Sequence, residues 1–170
     1  FSGSTWEFDQ ATGQYYLHLF SRKQPDLNWE NPQVREAVYA MMRRWLDRGV
    51  DGFRMDVINL ISKVVPLQDA HGDLVAQTFN GPRIHEFLHE MHRVVFAGRE
   101  AQLITVGEMP GSTIEQARLY TDPARAEVDM IFQFEHVDLD SGPLGKWDLR
   151  PLHLPRLKAC LARWQEGLAE

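Results

Sequence analysis

Hydrophobic positions along this chain follow two different spacings, and the two kinds of segment alternate. In four segments apolar residues recur every three or four positions, which is typical of amphipathic helices; between them lie short apolar runs typical of buried strands. The predicted helices run from Asn31 to Gly49, Pro82 to Phe96, Ser112 to Tyr120 and Leu154 to Leu168, and the predicted strands are Val50–Asp56, Leu103–Glu108 and Val128–Phe134. This alternation predicts parallel strands joined by right-handed crossovers.

Several residues predict where the helices begin and which faces they bury. Asn31 suits an N-cap, Pro32 the first helical position and Gly49 the stop, while Ser112-Thr113-Ile114-Glu115 has the spacing of a capping box. The predicted apolar faces are Val34, Val38, Met41 and Trp45 in the first helix; Ile84, Phe87, Leu88, Met91 and Val95 in the second; and Leu154, Leu157, Leu161, Trp164 and Leu168 in the last. Cys160, also in the last helix, is expected to be a buried small hydrophobe.

The remaining segments predict a hairpin and two long loops. Aromatic runs at Thr5–Phe8 and Tyr15–Phe20 flank a polar turn, which indicates a hairpin. The stretches from Val64 to Gly81 and from Phe134 to about Pro151 are polar or broken by glycine and proline, so both are predicted to be loops. The aromatic side chains of the first segment either form a wall on which sugars stack or pack a neighbouring domain.

The chemistry that this pattern favours lies at the ends of two predicted strands. Arg54 and Asp56 are two residues apart on the first strand, so their side chains share one face. An arginine beside an aspartate favours the ionised carboxylate, which suits a nucleophile. Glu108 ends the next strand, and two carboxylates on one rim are the equipment of a glycosidase. The alternative is structural: the carboxylates cap strand ends, and Arg54 and Asp56 form an ordinary ion pair.

Composition narrows the classes of partner and compartment. The chain has 170 residues and a net charge of −6, and its basic residues are scattered, which argues against nucleic acid as a partner. No apolar run approaches the roughly 20 residues of a membrane span. Cys160 is the only cysteine, so a reducing, cytoplasmic location is expected. A chain that begins at Phe1 is expected to be an internal piece of something longer.

Four segments, in order, resemble the α-amylase family of glycoside hydrolases, in its oligo-1,6-glucosidase and α-glucosidase branch. They are Gln24-Pro25-Asp26-Leu27-Asn28, Gly52-Phe53-Arg54-Met55-Asp56-Val57-Ile58-Asn59, Thr105-Val106-Gly107-Glu108-Met109-Pro110-Gly111, and Phe132-Gln133-Phe134-Glu135-His136 followed by Gly145-Lys146-Trp147-Asp148. The resemblance implies an α/β fold: about the middle three strands of a TIM (β/α)8 barrel. It assigns residues 1–30 to the end of an inserted B domain and residues 31–170 to the barrel.

The resemblance also implies roles for individual residues. Asp56 would be the nucleophile, Glu108 the general acid and base, and Arg54 the residue that positions the nucleophile. In this branch a valine after the nucleophile, here Val57, goes with α-1,6 preference, and threonine with α-1,4 preference. The remaining implied substrate contacts are Lys146, Glu135 and His136, although a hydrogen-bonded rim explains the last two equally well.

The implied reaction is retaining hydrolysis of terminal α-1,6, and secondarily α-1,4, glucosidic bonds in isomaltose-type oligosaccharides. It needs no cofactor; calcium occurs in some relatives, but no clustered carboxylate loop here indicates it. Trehalose-6-phosphate hydrolases and trehalose or sucrose isomerases of the same family are rival readings. Phe132-Gln133-Phe134-Glu135-His136 favours the glucosidase.

The sequence lacks two features of the family pattern, a third acidic residue and the first strands of the barrel. The family's third acid lies in an Asn-His-Asp motif, which does not occur here. The first barrel strands are also missing, so the isolated chain is expected to have little or no hydrolase activity. A non-catalytic folded fragment is therefore one alternative, and open strand edges favour its self-association.

One further motif points to a different class of enzyme. His85-Glu86-Phe87-Leu88-His89 matches H-E-x-x-H, in which two histidines bind zinc and the glutamate acts as base. The motif lies on a predicted helix, and His92 follows one turn later. Short motifs recur by chance, so a solvated helix face is the stronger interpretation, and zinc hydrolysis stays as the alternative.

Overall fold

The computed structural model describes residues 3–68, 73–99 and 102–169, except for the side chain of residue 146. The chain divides into two compact units, one running to Val38 and the other beginning at Tyr39. The predicted division between residues 1–30 and 31–170 stays a prediction. Among the described residues, no helix is long and apolar enough to cross a membrane.

The first unit contains the predicted hairpin. Strands β1 (Trp6–Asp9) and β2 (Gln14–Leu17) pair antiparallel, with Trp6 opposite Leu17 and Phe8 opposite Tyr15. The turn between them is held by Asp9, whose carboxylate accepts hydrogen bonds from the amide and hydroxyl of Thr12. The hairpin prediction is confirmed, with a second strand shorter than expected.

Helix α1 (Pro32–Leu46) begins at the predicted residue but buries a different face. The Asn31 side chain accepts a hydrogen bond from the Gln33 amide at 2.9 Å, as an N-cap should. The buried stripe is Arg35, Tyr39, Met42 and Leu46, while Met41 and Trp45 of the predicted stripe are exposed. Both stripes have helical spacing and lie one residue apart, so periodicity alone could not choose between them.

Three parallel strands form the central sheet, as the alternation predicted. They are β3 (Gly52–Met55), β4 (Ile104–Glu108) and β5 (Met130–Phe132), and β4 lies in the middle. Arg54 pairs with Val106, and Glu108 with Phe132. The described strands form part of a barrel and do not close one. The predicted α/β class is confirmed.

The segment between β3 and β4 is more helical than predicted. A short helix, α2 (Leu74–Thr78), lies inside the predicted loop, because Asp73 caps it by accepting from the Ala76 amide at 3.0 Å. The second predicted helix is α3 (Ile84–Met91), which continues as a π-helix over His92–Phe96. All five residues of its predicted apolar face are buried: Ile84, Phe87, Leu88, Met91 and Val95.

The last third of the chain corrects three details. Helix α4 (Ile114–Thr121) has its capping box one residue later than predicted, with Thr113 as N-cap and Gln116 as its partner. Strands β6 (Ser141–Gly142) and β7 (Gly145–Leu149) form a small hairpin within the second predicted loop. Helix α5 (Leu154–Gly167) buries Trp164 and, as expected, Cys160, whereas Leu154 and Leu161 are exposed.

Candidate active site at the ends of the parallel strands

The two predicted catalytic carboxylates meet at one guanidinium group. Arg54, on β3, donates from Nη1 to the Oδ1 atom of Asp56 and from Nη2 to the Oε2 atom of Glu108. Since Arg54 lies opposite Val106, the residue two further along each strand is Asp56 on one and Glu108 on the other. The parallel register therefore brings the carboxylates to one edge of the sheet.

The side chains of Arg54, Asp56 and Glu108 differ in their exposure to solvent. The Asp56 side chain is 70% exposed and that of Arg54 49% exposed, whereas Glu108 is 14% exposed. One guanidinium group therefore faces two carboxyl groups. Asp56 is therefore open to a ligand, whereas Glu108 is largely shielded from solvent.

The chain turns sharply directly after Asp56. Val57 has φ 36° and ψ 48°, a left-handed conformation that is a genuine outlier for a β-branched residue. A short 3-10 helix over Ile58–Leu60 follows, and all of its residues are buried. Backbone strain of this kind persists only where the surroundings enforce it, and it concentrates at functional sites.

The loop after β3 packs against β4 through a glycine. A β-carbon at Gly107 would lie 2.8 Å from the Cγ2 atom of Ile58, closer than real carbon contacts. Gly107 is thus required for the close approach of the Ile58 side chain. This contact fixes the position of the loop that follows Asp56 relative to the strand that ends in Glu108.

Asn59 makes a second connection between the same two loops, and sequence reasoning missed it. Its side chain is fully buried, and its Nδ2 donates to the carbonyl oxygen of Pro110 at 3.0 Å. A polar residue inside the apolar run from Val57 to Ile61 was the signal that could have indicated a buried amide.

The predicted substrate contacts at the end of β5 have protein partners of their own. Glu135 accepts a hydrogen bond from the Trp164 indole at 2.9 Å and forms an ion pair with Arg163. The indole bond and the Arg163 guanidinium hold the pKa of Glu135 below its usual range. His136 Nδ1 lies 2.8 Å from the side-chain amide of Gln133.

Glu135, His136 and Lys146 were also predicted to belong to the site. Among the described interactions, none connects them to the cluster of Arg54, Asp56 and Glu108. Glu135 and His136 lie in a 3-10 turn after β5. Lys146 lies on β7, and its side chain falls outside the described part of the structure. Their roles in sugar binding stay predictions.

The H-E-x-x-H motif has a structural partner in this chain. His85 Nδ1 lies 2.7 Å and His89 Nε2 3.0 Å from the carboxylate of Glu127, which is completely buried and also pairs with Arg125 at 2.7 Å. Glu86, the residue that would act as base, forms an ion pair with Arg83. Among the described residues, no group of three or more histidine, cysteine, aspartate or glutamate side chains has the arrangement of a metal site.

Comparison with known proteins places the whole chain in one family. Residues 1–170 match the profile described as "Alpha amylase, catalytic domain". An oligo-1,6-glucosidase of Parageobacillus thermoglucosidasius is 59% identical to this chain, in an alignment that covers 99% of the chain and 31% of that relative.

Solved structures give the same result for the fold. The trehalose-6-phosphate hydrolase of Bacillus licheniformis superposes with a TM-score of 0.90 at 47% identity, over 98% of this chain and 30% of that one. The isomaltulose synthase of Klebsiella sp. LX3 superposes with a TM-score of 0.87 at 35% identity, over 99% of this chain and 31% of that one. The chain therefore spans about a third of the length of the proteins it matches.

Proposed function

The chain belongs to the α-amylase catalytic-domain family of glycoside hydrolases, and from this premise we propose that it carries the nucleophile and the acid/base of a retaining α-glucosidase. The substrate is a short isomaltose-type oligosaccharide, cut at its terminal α-1,6 bond and less readily at α-1,4 bonds. The observation that carries the proposal is the pairing of both strand-end carboxylates with Arg54. The oligo-1,6-glucosidase relative, at 59% identity, supports the same substrate class.

In the first half of the proposed reaction, Asp56 Oδ attacks the anomeric carbon and forms an ester bond to the glucosyl group. The glycosidic bond breaks at the same time, and Glu108 gives its proton to the departing oxygen. In the second half Glu108 takes a proton from water, whose oxygen forms a new bond to the anomeric carbon. The ester breaks, Asp56 regains its charge, and glucose leaves with its configuration retained.

The separation of the carboxylates favours retention over inversion. Inverting enzymes keep their carboxyl groups roughly 6.5–9.5 Å apart to leave room for a water, whereas retaining enzymes hold them about 5–5.5 Å apart. Asp56 and Glu108 are bound to the two terminal nitrogens of one planar guanidinium. That arrangement supports the closer spacing and makes Asp56 a nucleophile rather than the base that activates a water.

The exposures of the two carboxylates match their proposed tasks. Asp56, at 70% exposure, is open to an incoming sugar, and Arg54 keeps it paired until the sugar arrives. Glu108, at 14% exposure, lies in a less solvated position that favours exchange of its proton with the substrate over exchange with bulk water.

Linkage preference is assigned to Val57, the residue after the nucleophile. Its strained left-handed backbone fixes the direction of its side chain at the start of the loop. In relatives of this branch a valine at this position accompanies α-1,6 specificity. Glu135, His136 and Lys146 are proposed as further sugar contacts.

Two related activities are second candidates, because matched structures carry them: a trehalose-6-phosphate hydrolase and an isomaltulose synthase. Their identities of 47% and 35% lie below the 59% of the oligo-1,6-glucosidase, which favours the glucosidase. The zinc-hydrolase alternative is disfavoured, because no group of side chains among the described residues has the arrangement of a metal site, and because Glu86, the residue that would act as base, is paired with Arg83.

The proposed chemistry uses carboxylates alone and needs no cofactor. The buried free thiol of Cys160 suits a reducing compartment, and we place the protein in the cytoplasm. One sheet face carries Ile104, Met130 and Phe132, each 43–48% exposed. For the isolated chain we propose self-association through this face and the open edges of β3 and β5, with little or no hydrolysis.

A chimera tests the proposal directly. This chain replaces the matching third of the Parageobacillus thermoglucosidasius oligo-1,6-glucosidase, and glucose release from isomaltose and maltose is measured. We expect the chimera to be active, and Glu108→Gln to lower kcat by about 10²–10⁴-fold, with Asp56→Asn at least as damaging. Asp51→Asn is the matched control, since Asp51 is an exposed aspartate just before β3.

Each result of this experiment has a definite meaning. An active chimera that loses activity in both variants, but not in the Asp51→Asn control, supports the carboxylate pair. An active chimera that tolerates either substitution overturns the assignment of that residue. The isolated chain, assayed in parallel, is expected to release no glucose.

A further inference from the structure

We propose that Asn59 is a positioning residue for the glycosidase reaction, which holds the segment directly after Glu108 against the loop that begins at Asp56. This inference rests on the proposed function and deepens it. Asn59 follows Asp56 by three residues, and Pro110 follows Glu108 by two. The hydrogen bond from Asn59 Nδ2 to the Pro110 carbonyl, at 3.0 Å, therefore joins the two segments just behind the carboxylates.

Asn59 is itself fixed from a third segment. Its backbone carbonyl accepts a hydrogen bond from the Asn80 amide at 2.8 Å, and its side chain has no exposure to solvent. Because Asn59 is held in place itself, its hydrogen bond restrains the position of Pro110; a loosely held side chain would move together with Pro110 and restrain nothing. The amide of Asn59 thus gives the segment that follows Glu108 a fixed point of attachment.

The chemistry of the site calls for a donor rather than for any polar group. Pro110 offers a carbonyl oxygen, which only a donor can satisfy, and the side chains of the neighbours Ile58, Leu60 and Ile61 carry no donor. The acceptor atom of Asn59, Oδ1, is buried without a protein partner among the described residues. Carrying an unpartnered buried acceptor costs stability, so the amide is retained for the bond that its NH₂ group makes.

The contact of Ile58 with Gly107 brings the loop after Asp56 close to the end of β4. Ile58 lies against Gly107, just before Glu108, and Asn59 binds Pro110, just after it. Together these contacts set the distance over which the guanidinium of Arg54 must reach Glu108. Met109 is also held by the hydrogen bond that its amide donates to the Phe132 carbonyl at 3.0 Å, so loss of the Asn59 bond releases the segment at Pro110 and lets Glu108 shift by a small distance.

Kinetics of the chimera described above test the inference, with Asn59→Ala and Asn59→Asp as variants. Ser62→Ala is the matched control: Ser62 is equally buried, lies three residues further on, and accepts from the Arg83 amide at 3.0 Å. We expect Asn59→Ala to lower kcat by about 10- to 100-fold with KM little changed, as a small misplacement of a catalytic group does. The control should lower the unfolding midpoint without lowering kcat.

The Asn59→Asp variant separates positioning from general destabilisation. Its new carboxyl can donate to the Pro110 carbonyl only while protonated, so its kcat relative to the unsubstituted chimera should rise as the pH falls. At a temperature at which circular dichroism shows Asn59→Asp to be fully folded at every pH used, a purely structural role would not produce this dependence. A deficit that is independent of pH, or a loss in Asn59→Ala no greater than that in Ser62→Ala, would overturn the inference.

An inactive chimera would bear on the proposed function and on the role of Asn59 in different ways. If the unsubstituted chimera is inactive, the proposed function fails, and NMR of the Arg54 guanidinium in the 170-residue chain decides the inference. In the unsubstituted chain, the NH groups of the Arg54 guanidinium should be protected from exchange with solvent by Asp56 and Glu108. In Asn59→Ala the protection by Glu108 should be lost, whereas in Ser62→Ala the protection by both carboxylates should remain. Unchanged resonances in Asn59→Ala would refute the positioning role.

Discussion

Arg54 and Glu108, which are 54 residues apart in the sequence, form an ion pair across the neighbouring parallel strands β3 and β4. The pair exists because Arg54 lies opposite Val106, which puts Glu108 one step further along the same face. The same guanidinium also binds Asp56. A single side chain thus holds the orientation of both groups to which we assign the chemistry.

Replacement of Arg54 by lysine should impair the chimera although the charge is kept. Lysine is a point charge and cannot present two terminal nitrogens in one plane to two carboxylates. We expect Arg54→Lys to lower kcat/KM on isomaltose by at least about tenfold, or 1.4 kcal/mol. Arg44→Lys, at an exposed position of α1, is the control and should have no effect. Equal rates in both variants would contradict a role for the guanidinium fork.

Substitution of Val57 should change which linkage is preferred. Threonine has nearly the same shape as valine but carries a hydroxyl, which alters the contacts of the residue next to the nucleophile. We expect Val57→Thr to shift the ratio of kcat/KM for isomaltose over maltose towards maltose by about 10-fold, a typical value for one altered contact in a pocket. An unchanged ratio would remove Val57 from the determinants of specificity.

Removal of the charge on Glu127 should destabilise the fold. This carboxylate is fully buried and faces His85, His89 and Arg125, so its loss leaves an uncharged group buried among three partly exposed donors that no longer have their counter-charge. We expect Glu127→Gln to lower the free energy of unfolding by about 3 kcal/mol, measured by urea titration of the chain. Glu86→Gln, whose side chain is 57% exposed, should cost less than about 1 kcal/mol.

The same titration distinguishes a structural histidine pair from a zinc site. A metal that binds only the folded chain raises its stability by mass action. Since no group of side chains in the described part of the chain has the arrangement of a metal site, added zinc should leave the urea midpoint of the unsubstituted chain unchanged. A zinc-dependent rise that His89→Ala abolishes would revive the H-E-x-x-H interpretation.

Acidification should weaken the attachment of α5 through Glu135. The indole of Trp164, followed by Arg163, lowers the pKa of this carboxyl in the folded chain. A depressed folded-state pKa contributes stability above the unfolded-state value, which is about 4.5. That contribution is lost as the pH falls through the lower folded-state value. The stability of Glu135→Gln should therefore depend less on pH below about 4.5.

Fluorescence of the tryptophans during urea unfolding, at pH 6 and below pH 4, measures this difference. Glu166→Gln, at an exposed position near the end of α5, is the control. Parallel pH dependence of the chain and of Glu135→Gln would show that the Trp164 bond does not contribute.

The elements that the sequence predicted well are those with local signals. Arg54 and Asp56 share a face because any residues i and i+2 on a strand do so, and Asn31 caps α1 through its own side chain. The link from Arg54 to Glu108 depends on the register between two strands, which no local pattern encodes. Asn59 escaped notice for the same reason, because its partner Pro110 is 51 residues away.

The predictions that failed involve surfaces with more than one candidate partner. The stripe of Met41 and Trp45 in α1 has the same helical period as the buried stripe of Met42 and Leu46. The H-E-x-x-H motif placed two histidines on one face correctly, but their partner is a distant carboxylate, Glu127. Spacing identifies neighbours along one element and does not identify what lies across from it.

Trapping of the glycosyl intermediate identifies the nucleophile. The Glu108→Gln chimera is incubated with α-glucosyl fluoride, whose leaving group needs no acid, and its peptides are analysed by mass spectrometry. Because the variant lacks the base for the second step, we expect a glucosyl group on the peptide that contains Asp56, bound through its carboxylate. A label on another residue, or an active chimera whose first product has the inverted configuration, would contradict the assignment of Asp56 as the nucleophile.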